Sequence, residues 1–98
     1  MSQKFQENGY KIIQDITQDV KEMTNEIINF PSEVKIQHSE LFIGPNGWGG
    51  STYFVKLTYN IDGVEYNREE QIFVSLNTTL QYVLKEIKDF YERMHKIK

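Results

Sequence analysis

The sequence predicts an α+β fold: a two-layer sandwich in the order α-β-β-β-α, with both helices packed on one face of a three-stranded antiparallel sheet. Three observations predict it: an apolar stripe at helical spacing near the start, alternation of apolar and polar residues in the middle, and a second helical stripe at the end. The 98 residues are 39% hydrophobic, which is enough for one modest core. We therefore expect residues 1–98 to form a single domain.

Residues 5–30 are expected to form the first helix. Their apolar side chains recur every three or four residues and share one side of a helix; they are Ile12, Ile16, Val20, Met23 and Ile27. Pro31 disfavours the helical conformation at Phe30, so the helix is expected to end there.

The middle of the chain predicts three strands. Residues 33–43 form the first, with a bulge near residues 38–40, where the apolar face changes. Residues 44–50, GPNGWGG, form a loop that contains four glycines. Residues 52–61 alternate most regularly, and the Asp62-Gly63 dipeptide that follows is typical of a type I′ hairpin turn.

The two-residue turn fixes the register of the hairpin and places two charged residues on its apolar face. Arg68 is expected opposite Leu57. Glu70 is expected opposite Val55, also among core positions. Either the third strand is bulged, or this patch lies beyond the cover of the helices. Arg68 and Glu70 are interpreted as a structural ion pair or as a patch that faces a partner.

Residues 79–96 are expected to form the last helix. Thr78 and Gln81 have the spacing of a capping box at its start. The apolar stripe of this helix consists of Leu80, Leu84, Ile87, Tyr91 and Met94.

The glycine-rich loop resembles a phosphate-binding loop only in part. Gly44 and Gly49 have the required spacing, but Gly50 stands where the lysine should be, and a strand follows instead of a helix. Trp48, the only tryptophan, lies at the centre of this loop. It either folds back over an edge of the core or stands out as a binding anchor, with Asn46 beside it as a further candidate.

The second face of the sheet carries further candidates for partner binding. Phe54 and Phe73 fall on the side that the helices leave open, where two exposed phenylalanines would form a contact surface or a homodimer patch. His38 and His95 have no partners at the spacing of a metal site or a catalytic triad, and cysteine is absent. We therefore expect no metal, no cofactor and no enzymatic activity.

The predicted order of elements is similar to that of the double-stranded-RNA-binding domain. That family carries a Gly-Pro loop before its second strand, and Gly44-Pro45 resembles it. The histidine that follows in the family is replaced by Gly47, and residues 33–76 contain three basic against six acidic residues, where the family is positive. The resemblance implies nucleic-acid binding, which is the alternative function; the positive C-terminal residues Arg93, Lys96 and Lys98 favour it.

The composition favours a protein partner. The net charge is −3, which argues against nucleic acid as a partner, and no apolar stretch is long enough to cross a membrane. We expect a non-catalytic, cytoplasmic protein-interaction module that acts as a regulator or inhibitor. Alanine is absent, a composition typical of an AT-rich genome such as that of a low-GC bacterium or its phage. A homodimer is compatible with this function, because residues 33–43 could pair as an edge strand across a twofold axis.

Overall fold

The computed structural model describes residues 10–45 and 47–96. The order of elements is β1 (Lys11–Asp15), α1 (Thr17–Thr24), β2 (Val34–Pro45), β3 (Ser51–Ile61), β4 (Val64–Gln71) and α2 (Leu76–Lys96). The strands form one antiparallel sheet in the order β1-β2-β3-β4. The α+β class is confirmed, but the described part of the chain has four strands where three were predicted, and its order is β-α-β-β-β-α.

The first predicted helix is wrong over much of its length. Lys11–Asp15 is a strand that pairs with the far end of β2, and α1 begins only at Thr17. At the junction of the strand and the helix, the Asp15 carboxylate accepts a hydrogen bond of 2.9 Å from the backbone N–H of Thr17, whereas the N-cap residue Ile16 makes no side-chain capping bond. Cross-strand pairing with β2 overrides the helical spacing of the apolar residues. α1 ends at Thr24, before Phe30, and residues 5–9 lie outside the described residues.

β2 is longer than predicted and lies inside the sheet. It pairs with β1 on one side and β3 on the other, so the expectation that this strand forms an edge is wrong. Its register shifts between Ile36 and His38, just before the predicted bulge. Because β2 has one extra residue at this shift, Ser39 faces the core like Ile36, three positions earlier. Phe42 lies on the opposite face of the sheet.

The β3–β4 hairpin has the predicted register. Ile61 pairs with Val64 across the turn, and the pairing runs without a shift to Phe54 and Gln71. Asp62 and Gly63 both have positive φ, at 54° and 85°, as a type I′ turn requires. β4 is therefore not bulged, which leaves the position of Arg68 and Glu70 to be explained by their contacts.

α2 begins about one turn before the predicted start. The Ser75 hydroxyl accepts a hydrogen bond of 3.1 Å from the Thr78 backbone N–H, so Ser75 caps the helix. The predicted capping box of Thr78 and Gln81 is wrong, because Thr78 already lies within the helix.

One cluster of buried side chains joins both helices to β2 and β3. On β3 it takes every second residue, which belongs to a single face of the sheet. Its members are Ile16, Val20, Val34, Ile36, Val55, Leu57, Tyr59, Ile61, Leu80, Val83, Leu84 and Ile87. The core therefore lies where the sequence placed most of the apolar residues of β3 and α2.

Candidate interaction surface

Trp48 projects from the loop between β2 and β3. Pro45 pairs with Ser51 at the base of this loop, and Trp48 lies between Gly47 and Gly49, whose φ angles are +85° and +83°. The side chain of Trp48 is 92% exposed. The interpretation of Trp48 as a cover for the core edge therefore does not fit the structure. Asn46 lies outside the described residues.

Further exposed apolar residues lie at the same end of the sheet. Phe73 and Val74, which follow the end of β4, are 76% and 83% exposed. Tyr53 lies next to them, because its carbonyl accepts a hydrogen bond of 2.8 Å from the N–H of Ile72. We call the set of exposed side chains at this end the loop-end surface; it consists of Trp48, Tyr53, Phe73, Val74 and Tyr82.

Part of the loop-end surface is concave. A groove of about 340 Å³ lies between the end of β4 and the first turns of α2. Its apolar lining comes from Phe73, Val74 and Tyr82, and its polar lining includes Glu70 and Gln71. A groove of this kind can accept an apolar side chain and still offer polar groups at its rim.

Three members of the surface were not predicted. Alternation along β3 places Tyr53 on the same face as Val55 and so predicts burial, but Tyr53 lies at the start of the strand, outside the buried cluster. Val74 lies in the short connection before the Ser75 cap, where the alternation along β4 no longer predicts which side chains are buried. Tyr82 lies off the apolar stripe of α2, so helical periodicity could have identified it.

Phe54 lies apart from this surface. Its ring stacks on that of Phe42 with a centroid distance of 5.3 Å, and the ring of Tyr10 lies 5.7 Å from both. A Cβ atom at Gly44 would lie 2.6 Å from the Tyr10 ring, so glycine is needed there for packing. Phe54 and Phe73 therefore do not form one exposed patch, and Gly44 belongs to β2 instead of a loop.

Arg68 and Glu70 join β4 to α2. A guanidinium nitrogen of Arg68 donates to Glu70 Oε1 at 3.2 Å and also to Glu86 Oε1. Hydrogen bonds from Tyr82 and Arg68 lower the pKa of Glu86 below its usual value. Arg68 on the apolar face thus forms ion pairs with Glu70 of the same strand and with Glu86 of α2, which favours a structural role over partner binding.

Each of the two histidines lies close to a carboxylate. His38 Nε2 lies 2.9 Å from Glu40 Oε2, and His95 Nε2 lies 3.6 Å from Asp62 Oδ2. Within residues 10–45 and 47–96, no group of three or more histidine, aspartate or glutamate side chains could hold a metal ion.

Comparison of the chain with protein-family models, with curated proteins and with solved structures finds no match. The resemblance to the double-stranded-RNA-binding domain was based on the order α-β-β-β-α and on Gly44-Pro45. The described chain contains this order but has the additional strand β1 before it, and Gly44 and Pro45 are the last residues of β2 instead of part of a loop. Among the described helices, none combines the length and the apolar character that a membrane span requires.

Proposed function

We propose that this chain is a small, non-catalytic, cytoplasmic protein-interaction module that binds another protein through the loop-end surface. Its partner inserts an apolar contact beside Trp48 and into the groove of Phe73, Val74 and Tyr82. The single observation that carries the proposal is the 92% exposure of Trp48 between two glycines.

Energetics support a binding role for an exposed tryptophan. An aromatic side chain buries about 200 Å² when a partner covers it, and at about 25 cal/mol per Å² this gives on the order of 5 kcal/mol before the costs of association. Tryptophan and tyrosine are enriched among the residues that dominate binding energy. Exposed apolar side chains that cluster at one end of a sheet are also unusual on a protein that acts alone.

The proposal is tested by comparing two variants with the wild type. Trp48→Ala removes the proposed anchor, and Ile28→Ala is the matched control, because Ile28 is 82% exposed in the turn after α1. A protein recovered from a bacterial lysate at near-equal stoichiometry is purified and titrated against all three forms. We expect Ile28→Ala to bind like the wild type and Trp48→Ala to bind at least about 30-fold more weakly, since an anchor residue contributes about 2 kcal/mol or more.

The sole tryptophan gives a second, direct measurement. 5-Fluorotryptophan incorporated into this chain gives one fluorine resonance, which is expected to shift on binding while its accessibility to a quencher falls. A partner that binds Trp48→Ala as tightly as the wild type, or that leaves this resonance unchanged, would contradict the proposal.

A further inference from the structure

The two edges of the sheet differ in their capacity to accept another strand. β1 is five residues long and its register shifts between Ile12 and Gln14. β4 is eight residues long, pairs regularly with β3, and has no strand beyond it among the described residues. A long and regular edge is the one on which an extended chain can add a strand.

The hairpin register shows which backbone groups of β4 are directed outward. In a two-residue hairpin the pair beside the turn is hydrogen-bonded, and bonded and non-bonded pairs then alternate. The N–H of Ile72 donates to the Tyr53 carbonyl, so the even-numbered residues of β4 are the ones that are hydrogen-bonded to β3. The backbone N–H and C=O groups that point away from β3 therefore belong to Glu65, Asn67, Glu69 and Gln71.

The side chains of these outward-directed residues make the edge acidic. Glu65 and Glu69 lie on the face of the sheet away from α2, with Lys56 opposite Glu69 on β3. On the other face, Arg68 is already held by Glu70 and Glu86. Two carboxylates along one edge disfavour pairing with a second copy of β4 and favour a strand that carries lysine or arginine.

The apolar groove lies at the end of the same edge. Glu70 and Gln71, the last residues of β4, contribute to its lining together with Phe73 and Tyr82. An added strand would direct alternate side chains to the two faces of the sheet. Basic side chains on one face would then meet Glu65 and Glu69, while an apolar side chain on the other face would enter the groove.

The geometry points to β4 as a docking edge for an extended protein segment in which basic residues alternate with apolar ones. The segment adds a fifth strand to the sheet through the outward backbone groups of β4. This inference goes beyond the proposed function, because backbone pairing along β4 does not require Trp48.

The test uses two synthetic peptides of eight residues, one with lysine alternating with valine and one with glutamate alternating with valine. Binding is followed by amide hydrogen exchange and NMR chemical shifts on the full chain. We expect the lysine peptide to bind with a Kd of about 1 mM or tighter, and the glutamate peptide to bind at least about tenfold more weakly. The outward amides of Glu65, Asn67 and Glu69 should become protected, while those of Tyr66 and Arg68 are protected in the free protein.

Substitution of Asn67 separates backbone pairing from side-chain effects. Asn67→Pro removes one outward N–H without removing a bond to β3, and we expect it to weaken peptide binding about tenfold. Asn67→Ala is the matched control, because it loses only the hydrogen bond from Thr58 to the Asn67 side chain and should bind like the wild type. The double variant Glu65→Lys, Glu69→Lys should reverse the preference between the two peptides.

The inference is overturned if the outward amides stay unprotected at saturating peptide, if both peptides bind alike, or if Asn67→Pro binds like Asn67→Ala. Hydrogen exchange of the Tyr66 and Arg68 amides shows in each variant that the hairpin is folded. Trp48→Ala is expected to bind the lysine peptide like the wild type. Failure of this inference is therefore distinguishable from failure of the proposed function.

Discussion

The two connections that reverse the chain between neighbouring strands, β2–β3 and β3–β4, differ in length, in composition and in the exposure of their side chains. Between β3 and β4, two residues reverse the chain, and the Gly63 N–H donates to Asn60 Oδ1 at 2.9 Å. Between β2 and β3, the connection from Pro45 to Ser51 is longer, rich in glycine, and carries Trp48, the most exposed large hydrophobic side chain among the described residues.

The two connections differ in how much of their sequence the reversal of the chain explains. The short turn follows from local stereochemistry, since Asp and Gly tolerate the positive φ that a type I′ turn demands. The long loop needs no tryptophan to reverse the chain, and the ring of Trp48 is almost fully exposed. This exposure is the observation on which the proposed binding role of Trp48 rests.

The largest expected effect is on the free energy of unfolding, when a core side chain beside the short turn is truncated. Ile61 is fully buried in the main cluster, so Ile61→Ala is expected to lower the free energy of unfolding by about 2–5 kcal/mol. Trp48→Ala should change it by less than about 0.5 kcal/mol. Chemical denaturation of both variants checks this contrast, and equal destabilisation would remove the distinction between the two connections.

A smaller effect is expected when alanine replaces a glycine of positive φ in each connection. Gly63→Ala forces a left-handed conformation inside a paired hairpin and should cost about 1–2 kcal/mol. A Cβ atom meets no neighbouring atom within 4 Å at either glycine, but Gly49 lies outside the strand pairing of β2 and β3, so the cost of Gly49→Ala should be lower. Thermal unfolding of the two variants, side by side, measures the difference; a larger loss for Gly49→Ala would contradict the comparison.

The smallest effect concerns the charged contact that holds the β3–β4 hairpin to α2. The pKa of Glu86 is lowered from its ordinary value of 4.5 by Tyr82 and Arg68, so the folded state favours the ionised form. This stabilisation is present at neutral pH and is lost as the pH falls below about 4.5, through the folded-state pKa. Glu86→Gln should therefore flatten the fall in stability with acid.

Denaturation curves at several pH values check the Glu86 prediction. Part of the acid dependence should remain in the variant, because hydrogen bonds from Thr17 also lower the pKa of Asp15. A slope identical to that of the wild type would show that Glu86 does not contribute.

The register of the β3–β4 hairpin was predictable because its signals are local. Asp62-Gly63 has one favoured turn geometry, and alternation along β3 then determines which residues face the core. The same register predicted Arg68 on the apolar face, but not Glu86, which comes from α2 in the folded protein. Of the loop-end surface, Trp48 and Phe73 were predicted and Tyr82 could have been identified from helical periodicity, whereas the exposure of Tyr53 and Val74 depends on where the helical cover ends.

By itself, the sequence determined the α+β class, the short turn, the bulged character of β2 and most of the buried residues, because each follows from spacing of two or from helical spacing within one segment. Only the tertiary structure decided that Lys11–Asp15 is a strand, because this segment gains its hydrogen bonds from the distant end of β2. It also decided that β4, not β2, is an edge of the sheet. Strand order depends on contacts between segments far apart in the chain, and no periodicity within a single segment encodes it.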